Sequence, residues 1–287
     1  LVCFYSLFLV SFIFFIPLAI IFKISISVSE WGMPPYRDLF DFSDGSIKLN
    51  STLGNYAFIF SDSFYLRSYL NSLSLAFTST LICLFIGYPI AFYVAKSKES
   101  TRNLLLILLI IPFWTSFLLR VYAWKVILQG SGVINAILMK FGIINEPLSM
   151  LYNHYTVILG VVYTYLPFMI LPLYGYLVKF DLNLIDASND LGARPVRTFM
   201  RVILPLSLPG IIAGSMLVFI PVVGEFVIPE LLGGSDKLYF GKIIWQEFFV
   251  NRDWPIASAL AMSGILVLVL PIIIFQLMFA KYNFKNE

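Results

Sequence analysis

Along the 287 residues, six stretches run without a single Asp, Glu, Lys or Arg: 1–22, 68–95, 103–119, 147–178, 202–224 and 254–280. The shortest is 17 residues long. A helix needs about 20 largely apolar residues to cross a hydrocarbon core of ~30 Å. The pattern predicts a polytopic, all-α membrane protein with six spans at 1–22, 70–95, 103–128, 155–178, 204–231 and 256–280. The connections 23–69, 96–102, 129–154, 179–203 and 232–255 are unequal. An even span count puts both termini on one side. With the C-terminus inside, Lys96, Lys98, Arg102, Lys179, Arg194, Arg197, Arg201, Lys281 and Lys285 are inside, packed into about 40 residues. Lys23, Arg37, Lys48, Arg67, Lys140, Lys237, Lys242 and Arg252 then spread over about 95 residues outside. Basic density therefore predicts a cytoplasmic C-terminus and a cytoplasmic 179–203 connection.

Composition agrees: 60% of residues are hydrophobic, 12% are charged, and the net charge is +3. Those values exclude disorder, a collagen-like chain and a disulfide-stapled secreted domain, and argue against an ordinary soluble enzyme. The small positive excess gives no reason to expect nucleic acid. Cys3 and Cys83 both lie in apolar spans and read as small buried hydrophobes; no metal spacing is present. His154 stands alone before the fourth span and reads as a structural histidine rather than a ligand or proton carrier. The first charge-free run exceeds a signal-peptide core, no cleavage site of small residues follows Lys23, and the segment reads as an uncleaved span. No P-loop is found: Lys242 follows Gly241, but Ile243 replaces Ser/Thr and Asp236 replaces the first glycine. A nucleophile elbow and an H-E-x-x-H are missing, so no catalytic residue, metal site or cofactor of the chain's own is expected. Trp31, Trp114 and Trp254 fall near span ends as belt residues. Gly87, Pro89, Pro112, Pro167, Pro172, Gly224, Pro229 and Pro271 loosen or kink the spans, as suits a bundle that moves.

The 179–203 connection is polar and reads as two short helices. Asn183 is the expected cap of the first, with Asp186 three residues on. Gly192 ends it in the left-handed region, and Pro195 opens the second. Ile185, Leu191, Val196, Phe199 and Met200 supply apolar contacts for the pair. Arg194, Arg197 and Arg201 reach acidic or headgroup partners.

This segment resembles the signature loop of bacterial ABC-importer permeases, in which E-A-A is followed by three residues, Gly, nine residues and I-x-L-P. Asp186-Ala187-Ser188 stands for Glu-Ala-Ala, Gly192 is at the family's spacing, and Val202-Ile203-Leu204-Pro205 closes the pattern. The segments Pro112–Trp124, Gly224–Gly234 and Asn251–Pro255 extend the resemblance to polyamine importer permeases, and the Gly224–Glu230 run is more similar to the putrescine-system type than to the spermidine-preferring one. The resemblance implies a type I ABC importer permease fold of six transmembrane helices, with coupling helices between spans 4 and 5. It implies an inner-membrane location and translocation of a polyamine, most readily putrescine. It also implies a heterodimer with a homologous second permease, two copies of an ATPase subunit and a periplasmic polyamine-binding protein, with ATP and Mg held by the ATPase. Asp186, Ala187, Asp190, Gly192, Ala193, Arg194, Pro195, Leu204 and Pro205 are its expected coupling residues. Residues 1–66 form the first helix and long outer connection, 67–280 the transport core and 281–287 a tail.

Arg120, Lys125, Glu225 and Glu230 are the charges inside the spans. A charge there costs roughly 2.5–3.5 kcal/mol on the insertion scale and faces a partner or a wet path. On unbroken helices, Arg120 and Glu225 lie roughly 25–32 Å from the inner ends. Two readings stay open. The ion pairs Arg120–Glu225 and Lys125–Glu230 neutralise one another, or the two carboxylates meet substrate ammonium groups, with Tyr163, Tyr165 and Trp245 adding cation–π contacts. Rivals to the importer reading are uptake of spermidine or another small cationic or polar solute, an ion-gradient-driven secondary transporter, and a membrane enzyme or assembly factor.

Overall fold

The computed structural model describes residues 2–41, 48–181, 183–234 and 237–283. Leu182, Asp236 and Lys285, used in the loop, motif and charge readings, lie outside them. The helices are α1 (Val2–Ser25), α2 (Gly54–Ser61), α3 (Ser63–Lys96), α4 (Glu99–Ile110), α5 (Phe117–Leu128), α6 (Val133–Lys140), α7 (His154–Leu177), α8 (Asn183–Asp190), α9 (Pro195–Thr198), α10 (Leu204–Val223), α11 (Val227–Leu232), α12 (Phe240–Trp245) and α13 (Trp254–Asn283). Strands β1 (Phe40–Asp41) and β2 (Lys48–Leu49) form a two-residue antiparallel pair. Wide π-helical turns occupy Phe199–Ile203 and Gln246–Val250.

Among the described residues, four helical tracts are long and apolar enough to cross a membrane: Ser63–Lys96, Phe117–Lys140, His154–Leu177 and Pro195–Val223. Two shorter apolar tracts, Phe15–Ser25 and Trp254–Val269, lie within α1 and α13.

The expected span 103–128 is not one helix. α4 ends at Ile110, a tight turn carries Ile111–Trp114, and Thr115 and Ser116 are extended, with ψ 151° and 134°. Ile111 keeps helical angles, φ −46° and ψ −45°, and the break follows Pro112, which has no N–H to donate. Its carbonyl instead accepts the Thr115 N–H at 3.3 Å and the Thr115 Oγ1 hydroxyl at 2.7 Å. The expected span 204–231 is divided as well: α10 stops at Val223, Gly224 caps it, and α11 restarts at Val227. The rise per residue that placed Arg120 therefore does not apply to it, whereas Glu225 lies two residues past the end of the unbroken α10.

The chain forms two units, Leu1–Tyr69 with Phe240–Glu287, and Leu70–Tyr239. In the first, α1 and α2 pack on α13. Asn55 Nδ2 donates to the carbonyls of Ser25 and Ser27, each at 2.9 Å, and so fixes the end of α1. Asp253 Oδ1 accepts the Ile256 N–H at 3.1 Å, capping α13, and the Ser29 hydroxyl at 2.7 Å. The buried Glu247 accepts from Tyr65 Oη at 3.0 Å and Asn251 Nδ2 at 2.8 Å. Trp254, expected in an aromatic belt, lies face to face with Phe248 at 4.9 Å. The ion pairs Lys23–Asp38 and Arg37–Glu30 are solvent-exposed and contribute little.

In the second unit, α7 and α10 form the central pair. Val157, Val161, Met169, Ile170 and Leu173 of α7 and Val218 and Val222 of α10 are fully buried. Lipid tails are as apolar as these side chains, so close van der Waals packing rather than transfer from water holds such helices together. Close approach requires small residues. A Cβ on Gly214 would stand 2.9 Å from the Met169 carbonyl oxygen. Tyr88 Oη and Ser207 Oγ, 2.9 Å apart, join α3 to α10.

Candidate functional site

The segment that the sequence singles out folds as a helix, a left-handed glycine and a second helix that runs on into α10. Asp181 caps the first helix, with Oδ1 accepting the Asn183 N–H at 3.0 Å. The expected cap, Asn183, is instead the first residue of the helix, and the acceptor comes from Asp181, two positions before it. At the far end, Gly192 has φ +76°. Its N–H donates to the Asn189 carbonyl at 2.8 Å, and the Ala193 N–H to the Ser188 carbonyl at 3.1 Å. These two bonds are the Schellman closure, which satisfies the last helical carbonyls. Arg194 precedes α9, and Pro195 fills its first turn. Ser188 Oγ and Thr198 Oγ1, 2.9 Å apart, hold the two helices at the turn. Ser188 is the residue that replaces the second alanine of the motif, and its hydroxyl has this use.

The apolar residues expected to hold the loop together divide. Phe199 packs edge-on against Tyr88 of α3, with centroids 5.5 Å apart. Leu191, Val196 and Met200 do not pack inward: they are 89%, 73% and 58% exposed. Asp186, Ala187, Asp190, Arg194, Arg197 and Arg201 are also exposed. Leu204 and Pro205 open α10 after the π-helical turn. The loop therefore presents an apolar and charged surface, held by α7 on one side and α10 on the other.

The intramembrane charges have other partners than the sequence suggests. Glu225 is buried at the break between α10 and α11. Its Oε1 accepts the N–H groups of Val227 at 3.0 Å and Ile228 at 3.4 Å. Its Oε2 accepts the Tyr165 hydroxyl of α7 at 2.6 Å. Arg120 makes no ion pair with it; its guanidinium lies over the Phe113 ring at 5.2 Å, with Nε buried and unpartnered. Lys125 lies on α5 and Glu230 on α11, two short helices that pack against each other. Glu230 is exposed on α11. Tyr163 packs edge-on against Trp124 at 5.4 Å, and Tyr165 lies 5.9 Å from Phe168. Trp245 belongs to the other unit, where it packs against Phe249. His154 Nδ1 lies 2.9 Å from Tyr239 Oη. Tyr65 and Glu247, both buried, form with the exposed Asn251 a polar group that sequence reading misses, since Tyr65 and Glu247 are 182 residues apart.

Residues 87–282 match the family described as binding-protein-dependent transport system inner membrane component. The chain belongs to this family. Among curated proteins it is similar to the spermidine/putrescine transport system permease protein PotB of Haemophilus influenzae, 44% identical over 82% of this chain and 82% of that protein. The PotB of Escherichia coli is 41% identical over 84% of this chain and 87% of that protein. The inner membrane ABC transporter permease protein YdcU of E. coli is 30% identical over 80% and 77%. Among solved structures, the fold is similar to that of a bacterial ABC transporter that imports the acidic polysaccharide alginate. The TM-score is 0.67 at 15% identity, over 97% of this chain and 95% of that chain. The MetNI methionine ABC transporter gives 0.53 at 17% identity, over 72% and 90%. The expected family is thus the observed one.

Proposed function

We propose that this chain is the permease subunit of an ATP-driven polyamine importer of the bacterial inner membrane. The observation that carries the proposal is the Asp186–Pro205 segment, in which a signature-like sequence folds as a rigid helix pair with its apolar and basic groups turned outward. The chain's 41–44% identity to permeases named for spermidine and putrescine supports the substrate class. In this reading all six predicted spans cross the membrane. The 24 residues of α1 and 30 residues of α13 reach about 36 and 45 Å, enough for ~30 Å of hydrocarbon. The C-terminus and the coupling loop are cytoplasmic, and residues 67–280 are the transport core. A homologous second permease completes the pore, two ATPase subunits dock on the loops and hold ATP and Mg, and a periplasmic binding protein delivers the amine.

Closure of the ATPases pushes on Leu191, Val196 and Met200; the Schellman turn and the Ser188–Thr198 contact pass that push to α7 and α10. Among the path candidates, Glu230 and Tyr163 are exposed enough to meet an ammonium group directly, whereas Tyr165 and Glu225 hold one another. Arg120 and Trp245 are the remaining candidates. The finer assignment to putrescine rests on the Gly224–Glu230 run, while the relatives' names carry both amines. Affinity purification of the chain from its own cells, followed by mass spectrometry, tests the assembly. An ATPase and a second permease co-purify if the reading is right; a chain that purifies alone from gently solubilised membranes contradicts it.

A further inference from the structure

We propose that the junction of α3 and α4 is a binding site for the headgroup of an anionic phospholipid. A cleft of about 320 Å³ opens there, lined by Tyr93, Lys96, Ser97, Lys98 and Thr101. Lys96 and Lys98 are exposed, and neither forms an ion pair among the described residues. Lys96 Nζ is steadied over the Phe92 ring at 4.4 Å. The neighbouring Glu99 offsets only one of the two charges, and Arg102 adds a third in the next turn.

The surface that leads away from the cleft selects a lipid over a free anion. Phe77, Leu81, Phe85, Pro89 and Tyr93 repeat every fourth residue along α3, and every one is exposed. Neighbours at that spacing touch, and the row they form winds slowly round the helix. On α4, Leu104, Ile107 and Leu108 are exposed, as is Ile111 just beyond it, and no residue of that helix is buried. Both helices that meet at the basic cleft thus carry bare apolar stripes long enough for acyl chains, while the lysines stand where a phosphate would be. Basic pockets at the membrane surface recognise anionic headgroups by this combination of charge and apolar contact. The proposal rests only on α3 crossing a membrane. It needs neither the coupling loop nor any transport substrate.

The test is lipid retention by the full chain purified in mild detergent, read by native mass spectrometry after exchange with phosphatidylglycerol or phosphatidylethanolamine. Phosphatidylglycerol is expected to be retained preferentially. Lys96→Gln and Lys98→Gln together should reduce its retention by about fivefold for each lysine, the weight of one basic residue near an anionic surface. Lys140→Gln with Lys237→Gln removes the same charge elsewhere and should leave retention unchanged. Lys96→Arg with Lys98→Arg keeps the charge and should retain the lipid, which guards against a Gln variant that fails to fold. Equal retention of the two lipids, equal loss in both Gln pairs, or full displacement by inorganic phosphate would each overturn the site. Because no amine or ATP enters the assay, its failure leaves the importer reading untouched, and loss of the importer reading leaves this site standing.

Discussion

Glu225 shows how far a residue's role depends on the backbone that carries it. Its presence in a charge-poor stretch marks it from sequence as a carboxylate with a partner or a function. Its partners are not legible there, because they arise from a helix break: Gly224 ends α10, and the carboxylate then takes up the first N–H groups of α11 and the hydroxyl of Tyr165. The sequence points to the Tyr165 ring, but it is the hydroxyl that makes the contact. Removing that hydroxyl with Tyr165→Phe should cost about 1.5–3 kcal/mol, the range for a bond to a charged group, and lower the melting temperature of the purified chain. Glu225→Gln should also destabilise, and adding Arg120→Gln should not restore it, since no ion pair links the two. Rescue of both abundance and uptake in that double variant would contradict the capping role and revive the pair that the sequence suggests.

At the scale of the elements, the charge-free stretches locate helices well and their interruptions poorly. Stretches 68–95 and 147–178 correspond to the unbroken α3 and α7, where proline is tolerated inside the helix. Pro112 breaks its stretch and Gly224 divides the longer predicted span 204–231, and the difference lies in the residues just beyond each. Thr115 can cap the Pro112 carbonyl, and Glu225 can cap the helix after Gly224. The Gly192 turn is legible because only a residue without Cβ takes φ +76° cheaply. Nothing stands within 4 Å of a Cβ at that position, so the cost of substitution there is conformational and not steric. Gly192→Asn should therefore be tolerated, whereas Gly192→Trp should insert normally yet abolish substrate-stimulated ATP hydrolysis, by straining the turn and obstructing the exposed face. Full hydrolysis in Gly192→Trp would remove the coupling assignment. Gly214 is the opposite case: its neighbour is the Met169 backbone, which cannot swing aside. Gly214→Val should force α7 and α10 apart and reduce the amount of folded chain several-fold, as judged by fluorescence-detected gel filtration; unchanged abundance would contradict the close packing.

For the whole molecule, orientation comes first. In a background without Cys3 and Cys83, a cysteine replacing Arg194 should react with an impermeant thiol reagent only after the inner face is opened. One replacing Lys237 should react in cells whose outer barrier alone is permeable. The reverse pattern would turn every loop around. The family is legible because its motif is local, a glycine and an I-x-L-P at fixed spacing. The buried Tyr65–Glu247 contact is not, because it joins distant parts of the chain. The most direct measurement of the central claim is uptake of labelled spermidine and putrescine into proteoliposomes. These would hold this chain, its second permease and its ATPase, with the binding protein outside and ATP within. The account predicts accumulation of at least one amine that requires ATP, the binding protein and this chain together. Accumulation by this chain alone, driven by an ion gradient and indifferent to ATP, would contradict it.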